Sequence, residues 1–212
     1  SVMLAHDMII AGTGRTIVAG GQESMSNAPY LLPKARKGYR LGHSEVVDHM
    51  FLDGLEDAYE RGTLMGQFAE QCALHYNFSR EDQDDFAIES LTRAKEAIEN
   101  GAFANELVYV GIDENQIVKT DEGPLKANVE KIPQLRPVFK KDGTVTAANA
   151  SSISDGGAAL ILMKLSDAEK GGHVPLARIV GHTTFSQEPR WFTTAPIFAI
   201  RSLLEKIGWK TS

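Results

Sequence analysis

At 212 residues, with 42% hydrophobic and 24% charged residues, the chain is long enough for one large domain or two small ones around a sizeable core. A net charge of −6 without a dense basic cluster argues against a nucleic-acid surface, no apolar run approaches the ~20 residues of a membrane span, and no signal-peptide pattern stands at the start. The single cysteine excludes an intrachain disulfide framework and fits a reducing compartment, most simply the cytoplasm.

In chain order, SVMLAHDMIIAG opens with helix-like apolar spacing at Val2, Ala5, Met8, Ile9 and Ile10. Gly12 and Gly14 break it, and RTIVAGG reads as a short buried strand, giving one helix–strand unit of an α/β layer. Residues 27–42, with Pro29, Pro33 and the basic run KARKGYR, read as a surface excursion. That run is taken as a solvated face first and a phosphate contact second. A helix is expected over residues 66–76, with Phe68, Ala69, Cys72, Ala73 and Tyr76 on one face. A second opens at Ser79, where SRED has the form of a capping box. It turns Phe86, Ala87, Leu91, Ala94 and Ile98 inward and closes at Gly101. ELVYVGI is strand-like, and 113–134 is polar and irregular. The small-residue run GTVTAANASSISDGGA, residues 143–158, follows, then strands at AALILMK and PLARIVGHTTF and a helix at APIFAIRSLLEKIG, with Pro196 in its first turn.

The 143–158 run lets the backbone itself approach a ligand, because no long side chain stands in the way. It fits a slot for a thin, amide-bearing molecule. Elsewhere the bland reading prevails. Cys72 sits mid-helix without a cationic partner and reads as a small core residue. His43, Glu45, Asp48 and His49 lack the regular spacing of a metal site and read as a loop. His6, His75, His173 and His182 are scattered along the sequence. The glycine pairs build no dinucleotide fingerprint, and Ser24 lacks the flanking glycines of a nucleophile elbow.

Five segments, in order, resemble thiolases: VAGGQESMSNAPY, DGLEDAYERGTLMGQFAE, SREDQDDFAIES, LRPVFKKDGTVTAANAS and PLARIVG. The resemblance covers essentially the whole chain. It implies an α/β fold, a partial thiolase-like layered αβα core with an inserted helical, loop-rich domain. Residues 1–24 would end the N-terminal half, 25–153 form the coenzyme A-binding loop domain, and 154–212 start the C-terminal half. Carried over by position, Leu55, Met65, Phe139, Ala147 and Ser151 are the implied coenzyme A contacts; Arg136 is an equal choice between a phosphate contact and a structural residue. Asn149 reads first as a loop-ordering residue and second as a ligand contact.

The resemblance implies no catalytic residue and no metal ligand here. The family's acylated cysteine lies in a C-x-S-G ahead of Ser1, and its N-E-A-F, G-H-P and C-x-G segments fall beyond Ser212. The implied function is part of an acetyl-coenzyme A C-acetyltransferase, with coenzyme A and acyl-coenzyme A as substrates, no prosthetic group, and a homodimer or homotetramer when intact. The degradative 3-ketoacyl-coenzyme A thiolase is the alternative, and a non-catalytic coenzyme A-binding or assembly module is the alternative of another class. Two departures bear on subclass: Leu64-Met65-Gly66 stands where short-chain biosynthetic members often have His-Met-Gly, and TAPIFA replaces the usual x-G-P-x-P-A.

Overall fold

A computed structural model describes residues 1–211. In chain order the elements are α1 (Val2–Ile10), β1 (Thr16–Glu23), β2 (Tyr30–Leu31), β3 (Val47–Asp48), α2 (Met65–Tyr76), α3 (Arg80–Glu99), β4 (Val110–Gly111), β5 (Ile117–Val118), α4 (Glu122–Lys126), β6 (Gly156–Met163), α5 (Leu165–Lys170) and α6 (Ala195–Ile207). They fall into two compact units: Ser1–Thr63 with Ile153–Ser212, and Leu64–Ser152.

In the first unit β1 and β6 pair antiparallel, from Thr16 opposite Met163 to Glu23 opposite Gly156. One face of this ladder carries α1. Ala5 and Ile9 of the helix bury against Ala19 and Leu162, with Val2 and Ile17 packed at the edge. Strand alternation sends Val18 and its partner Ile161 to the opposite face, where they are 70% and 69% exposed. Gly20 is required by close approach, since a methyl group built there would overlap the Ala158 carbonyl oxygen. Beyond the strands, Asp155 accepts hydrogen bonds from Ser26 N (2.9 Å) and Ser26 Oγ (2.6 Å), tying the exit of β1 to the start of β6.

The expected helices at both ends are present. α6 begins with Pro196 in its first turn and closes on Gly208 at φ 72°. The strand expected at PLARIVGHTTF is absent: residues 175–185 carry no ladder. They run beside α6 instead, where Lys206 Nζ donates to the His182 carbonyl (3.2 Å). A Cβ at Gly181 would sit 3.0 Å from Ile207 and 3.3 Å from Leu203. An apolar, β-branched segment makes a strand only where a second backbone offers hydrogen bonds, and a helix, whose backbone groups bond within itself, offers none along its side.

In the second unit, α3 starts as its sequence predicts. Ser79 Oγ accepts from Asp82 N (3.0 Å), and the Asp82 carboxylate accepts from Ser79 N (3.0 Å). Gly101, at φ 66°, follows its C-terminus. The inward face differs from expectation. Phe86 is 78% exposed, and Tyr76 turns outward to stack on Phe78. Phe68 and Ala73 are buried, but so are the carboxylates of Glu70 and Asp84. ELVYVGI forms a strand only at Val110–Gly111, paired with Ile117–Val118, because the amides of Glu106 and Leu107 close a turn on the Phe103 carbonyl. Within 113–134 the chain is more regular than its polarity suggests. Asp121 caps α4, and Asn128 caps a 3-10 turn over Val129–Gln134 that buries Ile132.

Candidate functional site

The 143–151 loop is held by side chains from α2 and α3. Glu70 uses both carboxylate oxygens on it. Thr144 N donates to Oε1 (2.8 Å) and Oε2 (2.9 Å), Val145 N to Oε1 (2.7 Å), and Thr144 Oγ1 to Oε2 (3.1 Å). Gly143 lies so close that a methyl group there would overlap Glu70 Oε1, so the glycine makes room for the acid.

A second set of bonds shapes the tip. Asn149 Oδ1 accepts from Thr146 N (2.7 Å), and Asn149 Nδ2 donates to the Thr144 carbonyl (3.1 Å) and to Asp84 Oδ1 (3.0 Å). Thr146 is fully buried, and Ala150 N returns to its carbonyl (3.0 Å). Asp84 Oδ2 accepts from Arg80 Nε (2.6 Å), and the Arg80 guanidinium also donates to the carbonyls of Ile132 (3.1 Å) and Leu135 (3.0 Å). Val138 N donates to the Val145 carbonyl (3.0 Å), joining the segment that carries Phe139 to the loop.

On this frame, Ala147 is exposed at the tip between Thr146 and Asn149, and Ser151 is exposed at its end. The half-buried Phe139 ring lies flush on Gly66, where a Cβ would overlap it, beside Met65 in the first turn of α2. The loop-ordering role read for Asn149 is what its bonds perform. Leu55 belongs to the first unit, half-buried at the end of the wide turn Phe51–Leu55. Arg136 is exposed. Cys72 is partly buried within α2.

Sequence reasoning missed Glu70, Arg80 and Asp84. The signal was present: Glu70 falls between Gly66 and Ala73 on the inward stripe of α2, and an acid within such a stripe needs buried donors. It also missed a contact of the first unit. His6 and His182, scattered in sequence, meet with ring centroids 5.1 Å apart. Asp7 Oδ1 lies 2.8 Å from His182 Nε2 and 3.3 Å from His6 Nδ1. The His182 hydrogen bond, then that of His6, holds the Asp7 carboxyl below its ordinary range. The segment 43–49, expected as a loop, contributes Val47 and Asp48 to β3; Asp48 accepts from Met50 N (2.9 Å), and His49 faces Asp53 at 3.7 Å.

The family model for the thiolase N-terminal domain matches residues 1–166. The chain belongs to the thiolase family. This thiolase chain is 43% identical over 217 residues to an acetyl-CoA acetyltransferase of Schizosaccharomyces pombe, covering 100% of this chain and 55% of the relative. It is 46% identical over 218 residues to acetyl-CoA acetyltransferase 2 of Arabidopsis thaliana, covering 100% and 54%. In structure it is similar to the Acat5 thiolase of Ascaris suum in complex with coenzyme A, with a TM-score of 0.91 and 38% identity over 99% of this chain and 54% of that one. The fold is thus the expected partial thiolase-like αβα arrangement, and the chain spans about half the length of the relatives it matches.

Proposed function

We propose that this chain supplies the coenzyme A-binding region of an acetyl-coenzyme A C-acetyltransferase. The complete enzyme reversibly condenses two acetyl-coenzyme A to acetoacetyl-coenzyme A and free coenzyme A, passing the acyl group through a cysteine thiolate. The observation that carries this is the 143–151 loop: a small-residue backbone ordered from beneath by buried acids, in a chain similar to a thiolase that holds coenzyme A. Such a loop presents backbone groups and the Ser151 hydroxyl to the amides of a pantetheine arm. Phe139 and Met65 supply apolar walls, and Ala147 permits close approach; Leu55, in the other unit, is a proposed contact on the family resemblance alone. Residues 25–153 are assigned to the loop domain, 1–24 and 154–212 to the two halves of the core; the compact unit Leu64–Ser152 lies wholly inside that span.

No residue here is assigned to catalysis or to a metal, and coenzyme A acts as substrate rather than as a resident group. The intact enzyme is proposed to be a cytoplasmic homodimer or homotetramer. No helix among the described residues is long and apolar enough to cross a membrane. Leu64 favours one second reading, a degradative 3-ketoacyl-coenzyme A thiolase, because an apolar side chain stands where short-chain members often carry histidine.

Calorimetric titration of coenzyme A tests the site. Saturable binding should weaken in Phe139→Ala and in Ser151→Ala; unchanged affinity in both removes the assignment. The 212-residue polypeptide alone should show no thiolysis of acetoacetyl-coenzyme A, and robust turnover would overturn that expectation.

A further inference from the structure

We propose that Glu70 and the Arg80–Asp84–Asn149 relay are positioning residues for coenzyme A. They hold the 143–151 loop in its binding shape before the ligand arrives. This rests on the coenzyme A reading above, and adds that affinity is set partly by two buried acids that the ligand does not touch.

The loop has few means of ordering itself. Beyond the buried Val145 and the Asn149 bonds within the loop, its small Gly, Ala, Ser and Thr side chains offer little apolar surface, and fixing each backbone costs about 1–2 kcal/mol of conformational entropy. The helices supply the rest. Glu70, 6% exposed, accepts from both Thr144 N and Val145 N, and Asp84, 4% exposed, accepts from Asn149. Asp84 is shared with Arg80, which grips the carbonyls of Ile132 and Leu135. One carboxylate therefore fixes both ends of the stretch that includes Phe139, while Asn149 fixes the tip that exposes Ala147. A ligand that binds only the ordered loop loses apparent affinity in proportion to the fraction of time the loop is ordered.

The experiment uses the full chain, with coenzyme A as probe. Calorimetry is paired with amide hydrogen exchange across residues 143–151 in wild type, Glu70→Gln, Asp84→Asn and Asn149→Asp. The last is a half-buried loop position that keeps side-chain volume and leaves the helices intact should the buried variants fold poorly. Each variant should exchange Thr144 to Ala150 amides roughly tenfold faster without ligand and bind coenzyme A roughly tenfold more weakly. Saturating coenzyme A should restore the wild-type protection pattern, which a merely structural lesion would not allow. The exchanged pair Asp84→Asn with Asn149→Asp should recover part of both losses. Unchanged exchange in Glu70→Gln and Asn149→Asp overturns the ordering role. A loosened loop with undiminished affinity overturns the link to ligand. Absence of binding by wild type refutes the coenzyme A reading itself, and the ligand half of the proposal with it, while exchange still decides the ordering half.

Discussion

Gly66 and Gly143 do their work by what they lack. Each leaves space that a methyl group would fill, at Gly66 for the Phe139 ring and at Gly143 for the Glu70 carboxylate. Gly66→Ala should therefore displace the ring and cost about 1–3 kcal/mol of overpacking, read as a lower urea midpoint, with weaker coenzyme A binding alongside. A stability equal to wild type would mean the ring moves freely. The small-residue run and the loop-ordering asparagine were legible in sequence because turn chemistry is local. Glu70 and Asp84 were not, because a helical acid reads as solvent-facing until the loop that donates to it, more than 60 residues away, is in place.

The helices were the most legible elements, since a helix carries its own hydrogen bonds and its own stop signals. Ser79 and Gly101 bracket α3 as the sequence indicates. Ser79→Ala should cost about 1 kcal/mol in denaturant unfolding, the usual worth of an N-cap. The sheet is a different matter. β1 and β6 lie some 140 residues apart, and nothing local says which segments pair. Residues 175–185 are likewise rich in apolar and β-branched residues and find no ladder. α1 gives the β1–β6 ladder its only described apolar core, so Ile9→Ala should cost about 2–4 kcal/mol and release both strands together. Loss of α1 helicity with the strand amides still protected would show that the ladder stands alone.

At the scale of the molecule, four exposed carboxyls among the described residues are held below their ordinary range: Asp7 by hydrogen bonds with His182 and His6, Asp82 and Asp155 by those from Ser79 and Ser26, and Glu122 by that from Lys126. For each, the unfolded chain binds the proton more readily than the folded one. Their stabilisation is thus complete above the unfolded values near pH 4 and is lost as pH falls through the lower folded ones. Melting temperature should fall through that acidic window, and Asp155→Asn should flatten the fall; an unaltered acid limb would exclude Asp155 as a contributor. At this scale the family was legible from five ordered motifs and is matched over residues 1–166. The most direct measurement is amide chemical-shift mapping of the chain on addition of coenzyme A. Saturable shifts concentrated at Phe139 and across 144–151, with Met65 and Gly66 following, are the predicted result. A spectrum left unchanged at saturating ligand, or shifts confined to other segments, would contradict the assignment of this loop as the coenzyme A site.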